Sequence, residues 1–195
     1  MKSTQDLKHD HITIRRIKDV ALTCSNKLYE AKYVPIEDIE IISVVIEEFV
    51  DHFHHGKEET AYFPETNVNS KFSEDIRKFL IEHEFGRRIA IMLRRALNEW
   101  KSKIKEADSN EEQRKRLVEP IARFLNAYAI FIDDHTGKED KFFDSIEEGK
   151  IISESEDELL LKHYESCMNQ AGGKIRIEQM INLINYLEAR EWMKD

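Results

Sequence analysis

The sequence is expected to fold as an all-α protein, an up-down-up-down four-helix bundle with a C-terminal helical extension. Three observations lead there. Apolar residues recur at steps of three and four over four long stretches. Only 6 Gly and 3 Pro occur in 195 residues, too few for the many tight turns of an all-β fold. At 41% hydrophobic and 35% charged, the chain can bury a core and stay in solution.

The first helix is expected over about residues 4–30, with Leu7, His11, Ile14, Ile17, Ala21, Cys24 and Leu28 on its apolar stripe. The second starts near Pro35, a residue suited to the first turn of a helix, and should stop at Pro64. Its stripe is Ile42, Ile46, Val50, His54, Glu58 and Tyr62, each four after the last. The third begins near Ser73, a plausible cap, and carries Phe79, His83, Gly86, Ala90, Leu93, Leu97, Trp100 and Ile104. Asp108-Ser109-Asn110 breaks it, and Ser109-x-x-Glu112 reads as a capping box for the fourth. The fourth stripe is Leu117, Ile121, Phe124, Tyr128, Phe131, His135, Glu139 and Phe142. These four make a unit over residues 1–149. Residues 150–195 form the extension: a helix capped by Ser153-x-x-Glu156 and ended by Gly172-Gly173, then a second with Ile177, Met180, Ile181, Ile184 and Leu187 in its stripe. That stripe covers the bundle or a second subunit, which would make a homodimer.

His54-His55-Gly56-Lys57-Glu58 recurs as His135-Thr136-Gly137-Lys138-Glu139, and the rest of the chain repeats almost nothing. Residues four apart share a helix face, so each copy aims an imidazole and a carboxylate at one point. In an up-down-up-down bundle His11, His54, His83 and His135 all fall at the same end, because the arms between them and the turns match to within about two turns. Four histidines and two glutamates therefore converge at one level of the core. Burying Glu58 and Glu139 without a cation would cost several kcal/mol each, roughly, and a metal ion removes that cost.

His9, His52, His55 and His163 fall off the stripes, and most read as surface residues. His55 is the rival to His54, since His55-x-x-x-Glu59 has the same spacing; the match of Glu58 to Glu139 and the run Val50-His54-Glu58 favour His54. Arg87, four after His83, points toward the same level. It either snorkels at the bundle edge or serves as a cation that holds a bridging carboxylate or attracts an anionic ligand. Tyr62 and Tyr128 lie nearby and read as packing residues, and Cys24 as a small core residue.

Four imidazoles do not suit Ca or Mg, and the absence of thiolates leaves Zn, Fe or Mn. Two carboxylates shared by two histidine pairs favour a di-iron site, with Zn or Mn as substitutes. The net charge of −9 disfavours nucleic acid as a partner. The opening MKSTQDLKHDH has no apolar h-region, and the run Ile41–Ile46 is too short to span a bilayer, so neither a signal peptide nor a membrane span is expected. Cys24 and Cys167 have no paired spacing, which fits a reducing cytoplasm.

The set His11, His54-x-x-x-Glu58, His83-x-x-x-Arg87 and His135-x-x-x-Glu139, with Lys57-Glu58-Glu59 and Phe63-Pro64, resembles the hemerythrin-like, or HHE cation-binding, proteins over roughly residues 5–147. The resemblance implies a non-haem di-iron centre, oxo- or hydroxo-bridged, with Glu58 and Glu139 as carboxylate bridges. One iron would take His11 and His54, the other His83 and His135. The sequence departs from the oxygen-carrying hemerythrins twice. They have a histidine where this chain has Arg87, and an aspartate five after the last histidine where it has Glu139 at four. A protonated guanidinium cannot ligate iron. These departures shift the expectation from reversible oxygen transport to binding, sensing or reducing a small oxidant: oxygen, peroxide or nitric oxide. The reading from another class is an iron-responsive regulatory or partner-binding module without turnover. No catalytic residue is assigned.

Overall fold

The computed structural model describes residues 1–67, 70–107 and 111–194, with only the backbone of 70 and 104–107. All the described secondary structure is helical, and no strand occurs among these residues. The elements are α1 (Lys2–Tyr29), α2 (Ile36–Val45), two π-helical stretches π1 (Ile46–His55) and π2 (Glu58–Tyr62), α3 (Phe63–Thr66), α4 (Ser73–Ala107), α5 (Glu111–Glu148), α6 (Glu154–Gln170) and α7 (Gly173–Glu188). Helix α5 packs against both α1 and α4, and the arm from α2 through α3 packs on α1 and α4.

The second arm departs from expectation in two ways. It is not a regular α-helix, and it does not stop at Pro64 but runs on to Thr66. A step of four turns about 40° too far for an α-helix, so six positions in that register would wind off the core. In a wider i→i+5 turn a step of four falls short of a full turn, so mixing π with α turns offsets the drift, and Ile42, Ile46, Val50, His54, Glu58 and Tyr62 are all buried. The same widening accommodates Pro64. Phe63 N–H bonds to Glu58 O, and Pro64 falls in the first turn of α3, where its missing N–H is not needed.

Helix α4 opens at Ser73 directly from a 3₁₀ turn, Ser70–Phe72. Asp108-Ser109-Asn110, and with them the Ser109-x-x-Glu112 capping box, lie outside the described residues. The Ser153–Glu156 capping box is present, with Ser153 Oγ accepting from Glu156 N–H and the Glu156 carboxylate accepting from Ser153 N–H. Gly172 has φ +99°, and a Cβ there would lie 3.0 Å from Arg176 Cβ, so the turn between α6 and α7 requires glycine.

The extension lies on the rest of the chain. Met180, Ile184, Leu187 and Trp192 join the large apolar cluster formed by α1, the second arm, α4 and α5. Asp157 of α6 accepts from the N–H groups of Lys2 and Ser3, supplying the cap that the start of α1 otherwise lacks. Arg190 and the Trp192 indole donate to buried Asp38.

Two apolar clusters stack along the arms. The larger includes Ile14, Phe53, Ile89 and Ile132; the smaller includes Leu7, Ala61, Phe79 and Phe142. His11, His54, Glu58, His83, His135 and Glu139 fall between these bounds on every arm. They form a polar layer enclosed above and below by hydrocarbon, each with 0% exposure. No helix among the described residues is long and apolar enough to cross a membrane.

Candidate metal centre

The structure brings the six sequence-selected residues together. His11, His54, Glu58 and Glu139 offer donor atoms that all lie within 4.8 Å of one another. His83 and His135 stand beside them with a residue the stripes had excluded, His55, in a second cluster of the same compactness. That spacing is slightly more than twice a metal–ligand bond of about 2.0–2.2 Å.

The two glutamates span both clusters. Glu58 Oε1 is 3.4 Å from His54 Nε2, and its Oε2 is 3.4 Å from His83 Nε2. Glu139 Oε2 is 3.4 Å from His11 Nε2 and 3.2 Å from His135 Nε2, while its Oε1 is 3.3 Å from His83 Nε2. Both Glu58 oxygens, Glu139 Oε2 and His135 Nε2 are buried without a hydrogen-bond partner. Burial holds both carboxyls well above the ordinary value and holds the four imidazoles below theirs.

Each imidazole is oriented from behind. Nδ1–H of His11 donates to Asp140 at 2.8 Å, of His54 to Asp10 at 3.2 Å, of His83 to Glu59 at 2.7 Å and of His135 to Glu82 at 2.7 Å. This fixes the tautomer with the Nε2 lone pair facing inward. His11 Nε2 and His54 Nε2 consequently oppose each other at 3.1 Å, two lone pairs with a place for a cation beside them. Each of these carboxylates is in turn held by a cation. Asp140 pairs with Arg15, Asp10 with Lys57, Glu59 with Arg87 and Glu82 with Lys138.

These contacts expose a longer repeat than His-x-Gly-Lys-Glu alone. Asp10-His11 with Arg15 four after the histidine matches Glu82-His83 with Arg87. His54 with Lys57-Glu58-Glu59 matches His135 with Lys138-Glu139-Asp140. The residue before each early histidine supports the later histidine of the same half. The residue after each glutamate supports the early histidine of the other half. The internal repeat therefore extends beyond His-x-Gly-Lys-Glu: an acidic residue precedes His11 and His83, and another follows Glu58 and Glu139.

Arg87 is the counterpart of Arg15. Its guanidinium bonds Glu59 at 2.5 Å and Asp51 at 2.7 Å, both behind the histidines, and reaches neither glutamate of the polar layer. It is neither a free snorkelling residue nor a holder of a bridging carboxylate. Tyr62 packs edge-on against Phe143 and shares a hydrogen bond with Thr4 at 3.2 Å, Tyr128 is buried beside Phe131, and Cys24 lies in the large apolar cluster.

Of the off-stripe histidines, His9, His52 and His163 are exposed, but His55 is 3% exposed. The physical reason is the π turn. More residues per turn bring neighbours closer in angle than the 100° of an α-helix, so His54 and His55 both face inward.

The donors fit a metal that accepts nitrogen and oxygen: imidazoles and carboxylates, with no thiolate in either cluster. A family model, the hemerythrin HHE cation binding domain, matches residues 2–143. No curated protein and no solved structure gives a match. With the larger part of the chain covered, and its histidines and glutamates gathered in one buried layer, this chain belongs to the hemerythrin HHE cation-binding family.

Proposed function

We propose that this chain is a non-haem di-iron protein that binds, senses or reduces a small oxidant such as oxygen, peroxide or nitric oxide. The observation that carries the reading is the division of each buried glutamate between two histidine clusters. His11 and His54 would hold one iron and His83 and His135 the other, with Glu58 and Glu139 shared. Two irons would supply electrons in steps of one or two to a bound oxidant. The protein's own part is orientation and exclusion of water. Four carboxylate–cation pairs keep the imidazoles aimed inward, and two apolar clusters keep the layer dry. The four arms, α1, α2 to α3, α4 and α5, are read as an up-down-up-down bundle, and a reducing compartment suits its free cysteines.

The test is metal analysis with an optical spectrum of the iron-loaded chain, before and after oxygen and peroxide. About two irons per chain and a near-ultraviolet band that changes with the oxidant are expected. No stable iron, or a spectrum indifferent to both oxidants, would count against the reading.

The second reading is an iron-responsive module without turnover. It is favoured by the closure of the layer, since all six donors are fully buried. Iron binding with no oxidant reaction, together with an iron-dependent change in a partner-binding surface, would select it.

A further inference from the structure

We infer that His55 is a seventh ligand, completing the metal position of His83 and His135 with a third imidazole. The inference rests on the two-metal reading above and adds an asymmetry between the two positions.

The internal repeat provides the control. Position 55 in one half corresponds to Thr136 in the other, and both side chains are buried. Thr136 is satisfied locally, its hydroxyl donating to Ile132 O at 2.9 Å. That is what this position looks like when it only packs. His55 has no such arrangement. Both of its ring nitrogens are buried without a hydrogen-bond partner. The nearest carboxylate oxygen, on Asp51, is 3.6 Å from Nδ1, too long for a hydrogen bond, and the same oxygen already accepts from Arg87. Leaving a buried imidazole unpaired is unfavourable, and a metal on one nitrogen would offset part of that cost.

The ring also lies against both histidines of that position, and the near-parallel stack on His83 would open as both rings turn toward one ion. It stacks on His83 with centroids 3.8 Å apart and planes 12° apart, and stands edge-on to His135 at 5.6 Å. One nitrogen of each of the three rings lies within 4.8 Å of the others. Arg87, one turn after His83, is committed to Asp51 and Glu59 and cannot ligate. The third nitrogen comes instead from the π turn of the second arm. The two positions would then differ: two imidazoles on the side of His11 and His54, three on the side of His83.

The experiment is titration of the full chain with Co²⁺ alone, under anaerobic conditions, reading bound metal and the visible ligand-field spectrum. The variants are His55→Gln, which keeps volume and polarity, His55→Thr, which copies the other half, and His52→Ala as an exposed control. The unmodified chain and His52→Ala should bind two Co²⁺. Both His55 variants should bind one tightly and the second on the order of 100-fold or more weakly, at or beyond the loss expected for a mere outer partner. The spectrum of the remaining ion should match that of the first ion in the unmodified chain. Apo stability supplies the second readout. Exchanging the ring for an amide of similar size and polarity should leave the apo His55→Gln protein about as stable as the original. Two equally tight ions in His55→Gln overturn this inference alone, and so does an apo protein that unfolds much more easily, which would mark His55 as a packing residue. An unmodified chain that binds no Co²⁺ overturns the two-metal reading and this inference with it.

Discussion

Lys57 and Lys138 occupy the same place in the two His-x-Gly-Lys-Glu segments, yet their side chains are 2% and 43% exposed. Lys57 sits over the rings of Phe53 and Tyr164, the latter brought by α6, and pairs with Asp6 and buried Asp10. Lys138 pairs with Glu82 and Asp134 in the open. The plan is the same in both halves: a lysine holds the carboxylate that holds the histidine. One half is covered by the extension and the other faces solvent. Identical motifs therefore carry different energies, because burial and not residue identity decides what an ion pair is worth. Burial raises the Asp10 carboxyl to about 6 even against the pull of Lys57.

The largest expected effect falls where the halves meet. Glu58→Ala and Glu139→Ala should each strip both metals, since each carboxylate faces both clusters, whereas His52→Ala should strip none. Metal analysis decides it, and loss of only one ion from each glutamate variant would show that the carboxylates do not bridge. Next come the lysines. Lys57→Met leaves Asp10 uncompensated in the core and should lower stability by about 3–5 kcal/mol, while Lys138→Met should change it by less than about 1 kcal/mol. Equal losses on denaturant unfolding would erase the difference between the halves.

Much of the fold was legible because the four stripes are long and regular. The second arm was legible as a helix but not as a π-helix, although its register of unbroken fours was itself the clue. An α-helical wheel hides His55, because on it residue 55 lies about 100° from residue 54. The six candidate ligands were visible because packing of long helices side by side reduces their placement to level and face. The outer carboxylates and their cations were not, since Asp10, Glu59, Glu82 and Asp140 reach across to other arms. Sequence spacing reports neighbours on one helix and says nothing of partners between helices.

Those outer carboxylates give the next test. Asp10→Asn, Glu59→Gln, Glu82→Gln and Asp140→Asn should each weaken metal binding by about 10–100-fold, in matching pairs across the two halves. A single sensitive pair would mean that the repeat is structural on one side only. The response to pH tests the layer as a whole. Burial holds the Glu58 and Glu139 carboxyls above 4.5 and the imidazoles below 6.5. Above pH 6.5 the histidines are neutral in both folded and unfolded chains. The glutamates contribute apo stability below 4.5 that is lost as pH rises toward their raised folded values. Metal binding replaces those protons. The rise in Tm on metal loading should therefore grow as pH climbs from 4.5 through the raised values of the two glutamates, and a constant or shrinking rise would contradict the burial of ionisable carboxyls. The smallest effect belongs to the motif glycines. A Cβ at Gly56 or Gly137 meets nothing within 4 Å, so Gly137→Ala, in a regular α-helix, should stabilise by up to about 1 kcal/mol. Gly56→Ala, between two π stretches, should gain less.

The central claim is that one buried layer holds two ions between two halves of one plan. Anomalous diffraction from crystals of the iron-loaded full chain measures it most directly. Two peaks should appear, about 3.5–4 Å apart. One should lie against His11 and His54 and the other against His83 and His135, with Glu58 and Glu139 reaching both. A single peak in the layer, or iron found only on surface carboxylates, would contradict it.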